Sequence, residues 1–193
     1  MVKLSELNIK ARKKVGDWAI EDPSISGIGT QSSKIKDGEI FFALEGTQNH
    51  GAKYIDEAIK MGASLVITDS DGFQIIKKNS RVTQIPIFIC DNVKEILTEM
   101  CYKFFPSLPS NLMAITGTNG KTSVVNFVQQ LLELNDLSCL SIGTLGVKGV
   151  MNIATNITTP TQIDLYKILS NAKKLRTDYA CIEASSHAIH QGR

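Results

Sequence analysis

Between Asn111 and Ser123 the chain reads Asn-Leu-Met-Ala-Ile-Thr-Gly-Thr-Asn-Gly-Lys-Thr-Ser, and no other stretch restricts the fold as tightly. Leu112 to Ile115 is a short apolar run of the kind that forms a buried parallel strand. It breaks at Gly117-Thr118-Asn119-Gly120, and an amphipathic pattern starts at Lys121. A strand that passes through a glycine-bearing turn into a helix aims backbone N–H groups and the positive end of the helix dipole at one spot, where an anion belongs. Lys121 can then reach the β- and γ-phosphates of a nucleotide, and the Thr122 hydroxyl can ligate Mg2+. The spacing departs from G-x-x-x-x-G-K-[ST], whose first glycine would fall at Ile115. In the alternative, Gly117 and Gly120 merely supply unusual backbone angles at a corner. The Lys-Thr pair directly after the second glycine favours a phosphate loop taking ATP or GTP with magnesium. What happens to the phosphate is not written in the loop.

Bulk properties narrow the function class. The chain has 193 residues, 42% hydrophobic and 21% charged, enough for one large domain or one and a half ordinary ones. A net charge of +2 marks neither a nucleic-acid nor a membrane surface. No apolar run approaches the roughly 20 residues that span a bilayer, and Met-Val-Lys-Leu-Ser-Glu-Leu has no apolar signal core. Cys90, Cys101, Cys139 and Cys181 lie in apolar segments without Cys-x-x-Cys spacing, as buried free thiols of a reducing compartment do. The expectation is a cytoplasmic, monomeric enzyme piece with small-molecule partners.

Strand and helix patterns alternate. Residues 3–14 read as a weak helix, 39–44 as a strand, 51–62 as a helix and 64–68 as a strand. Residues 85–90 form a further strand that Pro86 places at a sheet edge. A helix over 92–105 has Asp91 or Asn92 as its cap. Pro106-Ser-Leu-Pro-Ser110 is a two-proline break, which divides the chain into a domain 1–105, a linker 106–110 and a domain 111–193. Past it come strands at 112–116, 138–142 and 179–183 and helices at 121–134 and 162–175. The predicted class is α/β: a small mixed N-terminal domain, then the start of a mainly parallel, doubly wound P-loop domain.

Glu183 ends the last of these strands. Ligands of open α/β sheets bind outside the carboxyl ends of the strands, so Glu183 would share a rim with the phosphate loop and could hold Mg2+. A solvated strand-end acid is the alternative. Glu183, His187 and His190 also spell E-x3-H-x2-H, but zinc sites of that spacing need a continuous helix and further ligands. His187 reads instead as an orienting residue near the phosphates, and His50 as a polar residue of a loop or ligand pocket.

Taken together, these motifs resemble the Mur ligase family. Its T-G-T-N-G-K-T-[ST] run is intact at Thr116 to Ser123, and its E-x-S-S-H-x-x-x-x-x-R run at Glu183 to Arg193. Thr158-Thr159-Pro160 is similar to the family's T-T-P segment. Gln31 to Leu44 resembles the D-S-R…G-[DE]-[IL]-F-x-A block of its uridine-binding domain, with Gln31 and Ser33 replacing the acid and the arginine. Gly46 to Ile55 resembles G-x-x-x-D-G-x-x-[FY]-I, with the order Asn49-His50-Gly51 where the family has Asp-Gly.

The resemblance, nearest to the branch that adds the third residue of the peptidoglycan peptide, implies an ATP-dependent, Mg2+-requiring, amide-forming ligase. Its small-molecule substrates would be UDP-MurNAc-L-Ala-D-Glu, ATP and a diamino acid. It implies ATP contacts at Gly117, Thr118, Asn119, Gly120, Lys121, Thr122 and Ser123, with Lys121 and Glu183 catalytic and Thr122 and Glu183 on Mg2+. Contacts to the UDP-muramyl substrate are implied at Thr30, Ser32, Thr47, Gln48, Asn49, Thr158, Thr159, Ser185, Gln191 and Arg193. Family members are much longer, so the 193 residues alone are expected to bind weakly and not to turn over, with a sheet edge and an apolar face left open. Alternatives are a D-Ala-D-Ala-adding ligase, a folylpolyglutamate synthase and a non-catalytic module that binds a nucleotide or UDP-sugar.

Overall fold

The structure, a computed structural model, describes residues 1–16, 22–79, 85–154 and 158–190. The chain divides at Phe104 into Met1–Phe104 and Phe105–Arg193.

The first unit runs β1 (Val2–Lys3), a 3₁₀ turn (Leu4–Leu7), β2 (Lys13–Val15), β3 (Ser24–Ile25), β4 (Gly27–Gly29), a second 3₁₀ turn (Ser32–Lys34) and β5 (Glu39–Ala43). A third 3₁₀ turn (Gly51–Tyr54) leads into α1 (Ile55–Lys60), followed by β6 (Leu65–Thr68), α2 (Ser70–Asn79), β7 (Ile87–Ile89) and α3 (Val93–Phe104). Five strands form a sheet in the order β2-β7-β6-β5-β4, parallel except where β2 meets β7. Leu-Val-Ile-Thr and Ile-Phe-Ile are buried along their whole length, as runs of this kind must be in a parallel sheet covered on both faces. Phe41, Val66 and Ile87 of the sheet pack with Ile55 and Ala58 of α1 and Ile76 of α2.

Two readings of this half are corrected, one helix is added and the cap of α3 is decided. No helix fills 3–14: the first turn ends at Asn8 with φ 50, and Lys13–Val15 pairs with Ile87–Ile89. Strand pairing overrides a weak helical pattern. β7 is not an edge strand, because Pro86 precedes it, removes no ladder donor and still accepts from Val66 N at 3.0 Å. Helix α2 has no counterpart in the sequence reading. It starts where Asp69 Oδ1 accepts from Gly72 N at 2.7 Å and presents Phe73 and Ile76 to the core. Asn92, not Asp91, caps α3: its Oδ1 accepts from Glu95 N at 3.1 Å while its Nδ2 donates to the Glu95 carboxylate.

The second unit contains β8 (Asn111–Ile115), α4 (Lys121–Glu133), β9 (Cys139–Gly143), β10 (Gly146–Gly149), α5 (Gln162–Lys174), β11 (Tyr179–Glu183) and the short α6 (Ser186–His190). Its sheet has the order β10-β9-β11-β8, with β9, β11 and β8 parallel and β10 returning antiparallel on β9. Cys139 and Cys181 face α4, whereas Leu140, Ile142, Ala180 and Ile182 face α5. Successive strand residues point to opposite faces, so the two helices cover opposite sides of the sheet. β11, the last of these strands in sequence, lies between β9 and β8, and its register sets Glu183 opposite Ile115, just before the Gly117–Gly120 loop. β8 is at the sheet edge, and Val124, Phe127, Leu131 and Leu134 form an exposed apolar stripe along and just past α4.

Replacing the fully buried Ile76 by Ala should lower the stability of the first unit by about 2–5 kcal/mol, whereas the exposed Lys77→Ala should stay within about 0.5 kcal/mol. Urea denaturation of the two variants checks that α2 is an amphipathic helix seated on this core.

Candidate functional site

The loop Gly117–Gly120 carries the chain from β8 into α4, and all four residues are exposed. Gly120 sits at the helix N-cap with φ 82, a left-handed conformation that glycine adopts without steric penalty. It has no side chain to cap the helix, so the first-turn amides remain directed at the loop's concavity. Lys121 Nζ folds back over this loop and donates to Gly117 O at 2.7 Å and Thr118 O at 3.4 Å. A cation, free amides and the positive helix end thus converge on one exposed spot.

Glu183 ends β11 with 1% of its surface exposed. A buried carboxylate is costly unless hydrogen-bonded. Here Oε1 accepts from Thr144 N at 2.8 Å, and Oε2 accepts from Thr122 Oγ1 at 2.9 Å and Thr144 Oγ1 at 3.2 Å. The carboxylate fits only because position 143 is glycine: a Cβ there would lie 2.0 Å from Oε1 and 2.4 Å from Cδ. Thr144 lies in the turn joining β9 to β10 and was not singled out in the sequence. Its one available signal was the Gly143-Thr-Leu-Gly146 turn at the carboxyl end of a strand.

Thr158 and Thr159 join the same cluster. Thr158 Oγ1 is 3.1 Å from Thr144 Oγ1, and buried Thr159 donates to Glu183 O at 2.8 Å. Ser185 donates its N–H to Thr159 Oγ1 at 3.4 Å, while its own hydroxyl accepts from Ala188 N and starts α6. Thr118, Asn119 and Ser123 are exposed around the loop and the first turn of α4. Gln191 and Arg193 lie outside the described residues. A serine/threonine hydroxyl and a carboxylate are oxygen donors of the kind a hard divalent cation takes, so Thr122 with Glu183 fits Mg2+. Among the described residues, no three His, Cys, Asp or Glu side chains gather as a metal-binding group, and His187 and His190 are exposed on α6.

A family model described as the Mur ligase middle domain matches residues 115–193, and one described as Mur ligase family, catalytic domain, matches residues 24–103. The chain belongs to the Mur ligase family. It is 36% identical over 174 residues to the UDP-N-acetylmuramoyl-L-alanyl-D-glutamate--2,6-diaminopimelate ligase of Rickettsia typhi, covering 88% of this chain and 34% of that one. To the Bradyrhizobium diazoefficiens enzyme of the same name it is 31% identical over 193 residues, covering 96% and 38%. A solved structure of a ligase of that name superposes with a TM-score of 0.74 at 26% identity, over 99% of this chain and 37% of that one. The chain therefore spans about a third of the length of the relatives it matches.

In the first unit of this Mur ligase chain, Thr30, Ser32 and Asn49 line one cavity of about 510 Å³ together with Glu45, Tyr54 and Glu57. Thr47 and Gln48 belong to the same loop but are exposed and do not line it. Ser32 Oγ donates to Glu57 Oε2, and Lys53 Nζ donates to Asn49 Oδ1 at 2.7 Å. His50 closes the loop and does not line this cavity. Its Nδ1 accepts from Ala52 N at 3.0 Å, so the ring proton is on Nε2, which donates to Asp69 at 3.1 Å. This pair pins the end of the loop to the residue that caps α2.

The four cysteines are buried, and burial, with the Asp91 charge second, pushes the Cys90 thiol up to about 11. Cys139 and Cys181 sit with their sulfurs 3.9 Å apart, and their mutual hydrogen bond raises Cys139 above the usual thiol range. Among the described residues no helix is long and apolar enough to cross a membrane.

Gly143→Ala should force the Glu183 carboxylate out of its seat and lower the stability of the second unit by about 1–3 kcal/mol. Exposed Thr118→Ala should leave it within about 0.5 kcal/mol, and thermal denaturation of both distinguishes a filled cradle from an ordinary turn.

Proposed function

We propose that these two units belong to an ATP-dependent, amide-forming ligase of peptidoglycan precursor synthesis. It would add a diamino acid to UDP-MurNAc-L-Ala-D-Glu in the cytoplasm. Because the chain spans about a third of its relatives' length, the full reaction is assigned to a polypeptide of that length carrying these units. The observation that carries the reading is the Thr122 hydroxyl 2.9 Å from the buried Glu183 carboxylate, beside an exposed phosphate loop. The names of the relatives supply the substrate class.

ATP would seat its phosphates on the first-turn amides of α4, with the loop residues Gly117 to Gly120 and Ser123 around them and the Lys121 ammonium against the β/γ oxygens. Lys121 would exchange its loop carbonyl partners for phosphate oxygens. Thr122 and Glu183 would hold Mg2+, which supplies charge neutralisation at the triphosphate. The D-glutamyl carboxylate would attack the γ-phosphorus with departure of ADP, giving an acyl phosphate. The diamino acid's amine would then add to the acyl carbon, and phosphate would leave as the amide forms. The protein contributes positioning and electrostatics and needs no nucleophile of its own.

Thr158, Thr159, Ser185, Gln191 and Arg193 would contact the UDP-muramyl peptide, Arg193 as a bidentate partner for phosphate or carboxylate. The uridine end would enter the cavity of the first unit lined by Thr30, Ser32 and Asn49, and the exposed Thr47 and Gln48 of the same loop would reach it from outside.

Lys121→Ala in a polypeptide of family length should lower kcat/KM by 10³-fold or more, the order lost when a charge-stabilising group is removed. Steady-state kinetics with ATP and the UDP-muramyl dipeptide measures it, and a loss under about tenfold would refute the phosphate-loop assignment.

A further inference from the structure

The turn between β9 and β10 does more than reverse the chain. Thr144 meets both oxygens of Glu183, through its amide at 2.8 Å on Oε1 and its hydroxyl at 3.2 Å on Oε2. The same hydroxyl is 3.1 Å from Thr158 Oγ1. A hydroxyl has one proton and two lone pairs, and an ionised carboxylate only accepts. With Thr144 donating to Glu183, the proton between the two threonines belongs to Thr158. The direction is therefore Thr158 to Thr144 to Glu183, and Thr122 donates to the carboxylate from the other side.

We propose that Thr144 is a positioning residue that fixes the Glu183 carboxylate for a bound cation and links it to the Thr158-Thr159 segment. The proposal rests on the reading of Thr122 and Glu183 as a magnesium–nucleotide site. Two features make Thr144 the fixed hold and Thr122 the exchangeable one. The Thr144 amide is backbone, in a turn between two paired strands, and it grips Oε1, the oxygen turned away from Thr122. Thr122 lies in the first turn of α4, at the phosphate loop, where its hydroxyl can turn to a metal. The Thr144 hydroxyl then keeps Oε2 from rotating, and Thr158, which donates to that hydroxyl, polarises it. A group that orients a ligand without touching the metal typically changes metal affinity 10- to 100-fold.

The test is Mn2+ binding to the 193-residue chain with ADP, followed by electron paramagnetic resonance. Thr144→Val keeps the shape and the backbone N–H but removes the hydroxyl, and should weaken Mn2+ about tenfold. Thr144→Ser should remain within about threefold of the wild-type chain. Thr158→Val should weaken it less, and the Thr144→Val/Thr158→Val double variant should match Thr144→Val alone, because Thr158 acts only through Thr144. Unchanged Mn2+ affinity in a folded Thr144→Val chain would overturn the positioning role, and additive losses would overturn the link to Thr158. Absence of Mn2+–ADP binding by the wild-type chain would instead count against the nucleotide-site reading. Hydrogen exchange then decides the hold independently. A protected Thr144 amide that loses protection in Glu183→Ala supports it, and an unprotected amide in the wild-type chain overturns it.

Discussion

A carboxylate removed from water dictates the local architecture of the second unit. Glu183 can lie buried at the end of β11 because three hydrogen bonds reach it and because Gly143 leaves its cradle open. That arrangement requires β11 to run between β9 and β8, so that the ends of all three parallel strands face one rim. It also requires β9 to end in a tight turn that returns an amide toward the carboxylate. Moving any of these elements would leave a buried charge short of donors, a penalty of several kcal/mol. The first turn of α4, which follows the Gly117–Gly120 loop, is anchored into the same arrangement through Thr122.

The parts of the fold legible in the sequence are those coded by contiguous residues. The strand-loop-helix at Asn111–Glu133 and the strand Tyr179–Glu183 fall within a residue or two of their expected bounds, because an apolar run flanked by glycines or polar residues is a local signal. What escaped depended on partners distant in sequence. Residues 13–15 carry two lysines and a valine, and only the pairing with Ile87–Ile89 makes them a strand. Pro86 argued for an edge by a rule about lost N–H groups, yet one residue's displacement removed the conflict. Helix α2 was hidden by Gly72, a poor helix residue in isolation. Here it is needed, because a Cβ would lie 2.1 Å from Thr68 Oγ1 and 2.4 Å from His50 Cε1.

The candidate site divides in the same way. Thr122 and Glu183 could be assigned to one rim from strand order and loop type, and the structure brings their oxygens to hydrogen-bonding distance. Thr144 could not be found so, because a threonine in a turn has no chemical signature until a carboxylate 39 residues later arrives beside it. In the first unit, polar residues close in sequence separated once folded: Asn49 lines the cavity, Thr47 and Gln48 stay outside it, and His50 turns away to Asp69.

The outer side of the second unit has a practical consequence for handling the chain in solution. β8 is the edge strand of this sheet among the described residues, and Val124, Phe127, Leu131 and Leu134 form an exposed apolar ridge on the helix that covers one face of the sheet. An edge strand can recruit another strand, and an exposed apolar ridge can recruit another apolar surface. Association through this side would scale with protein concentration and rise in salts that strengthen hydrophobic contact, independently of nucleotide. Light scattering across a dilution series would therefore report on the sheet edge and the ridge, while the Gly117–Gly120 loop, at the carboxyl ends of the parallel strands, would stay exposed.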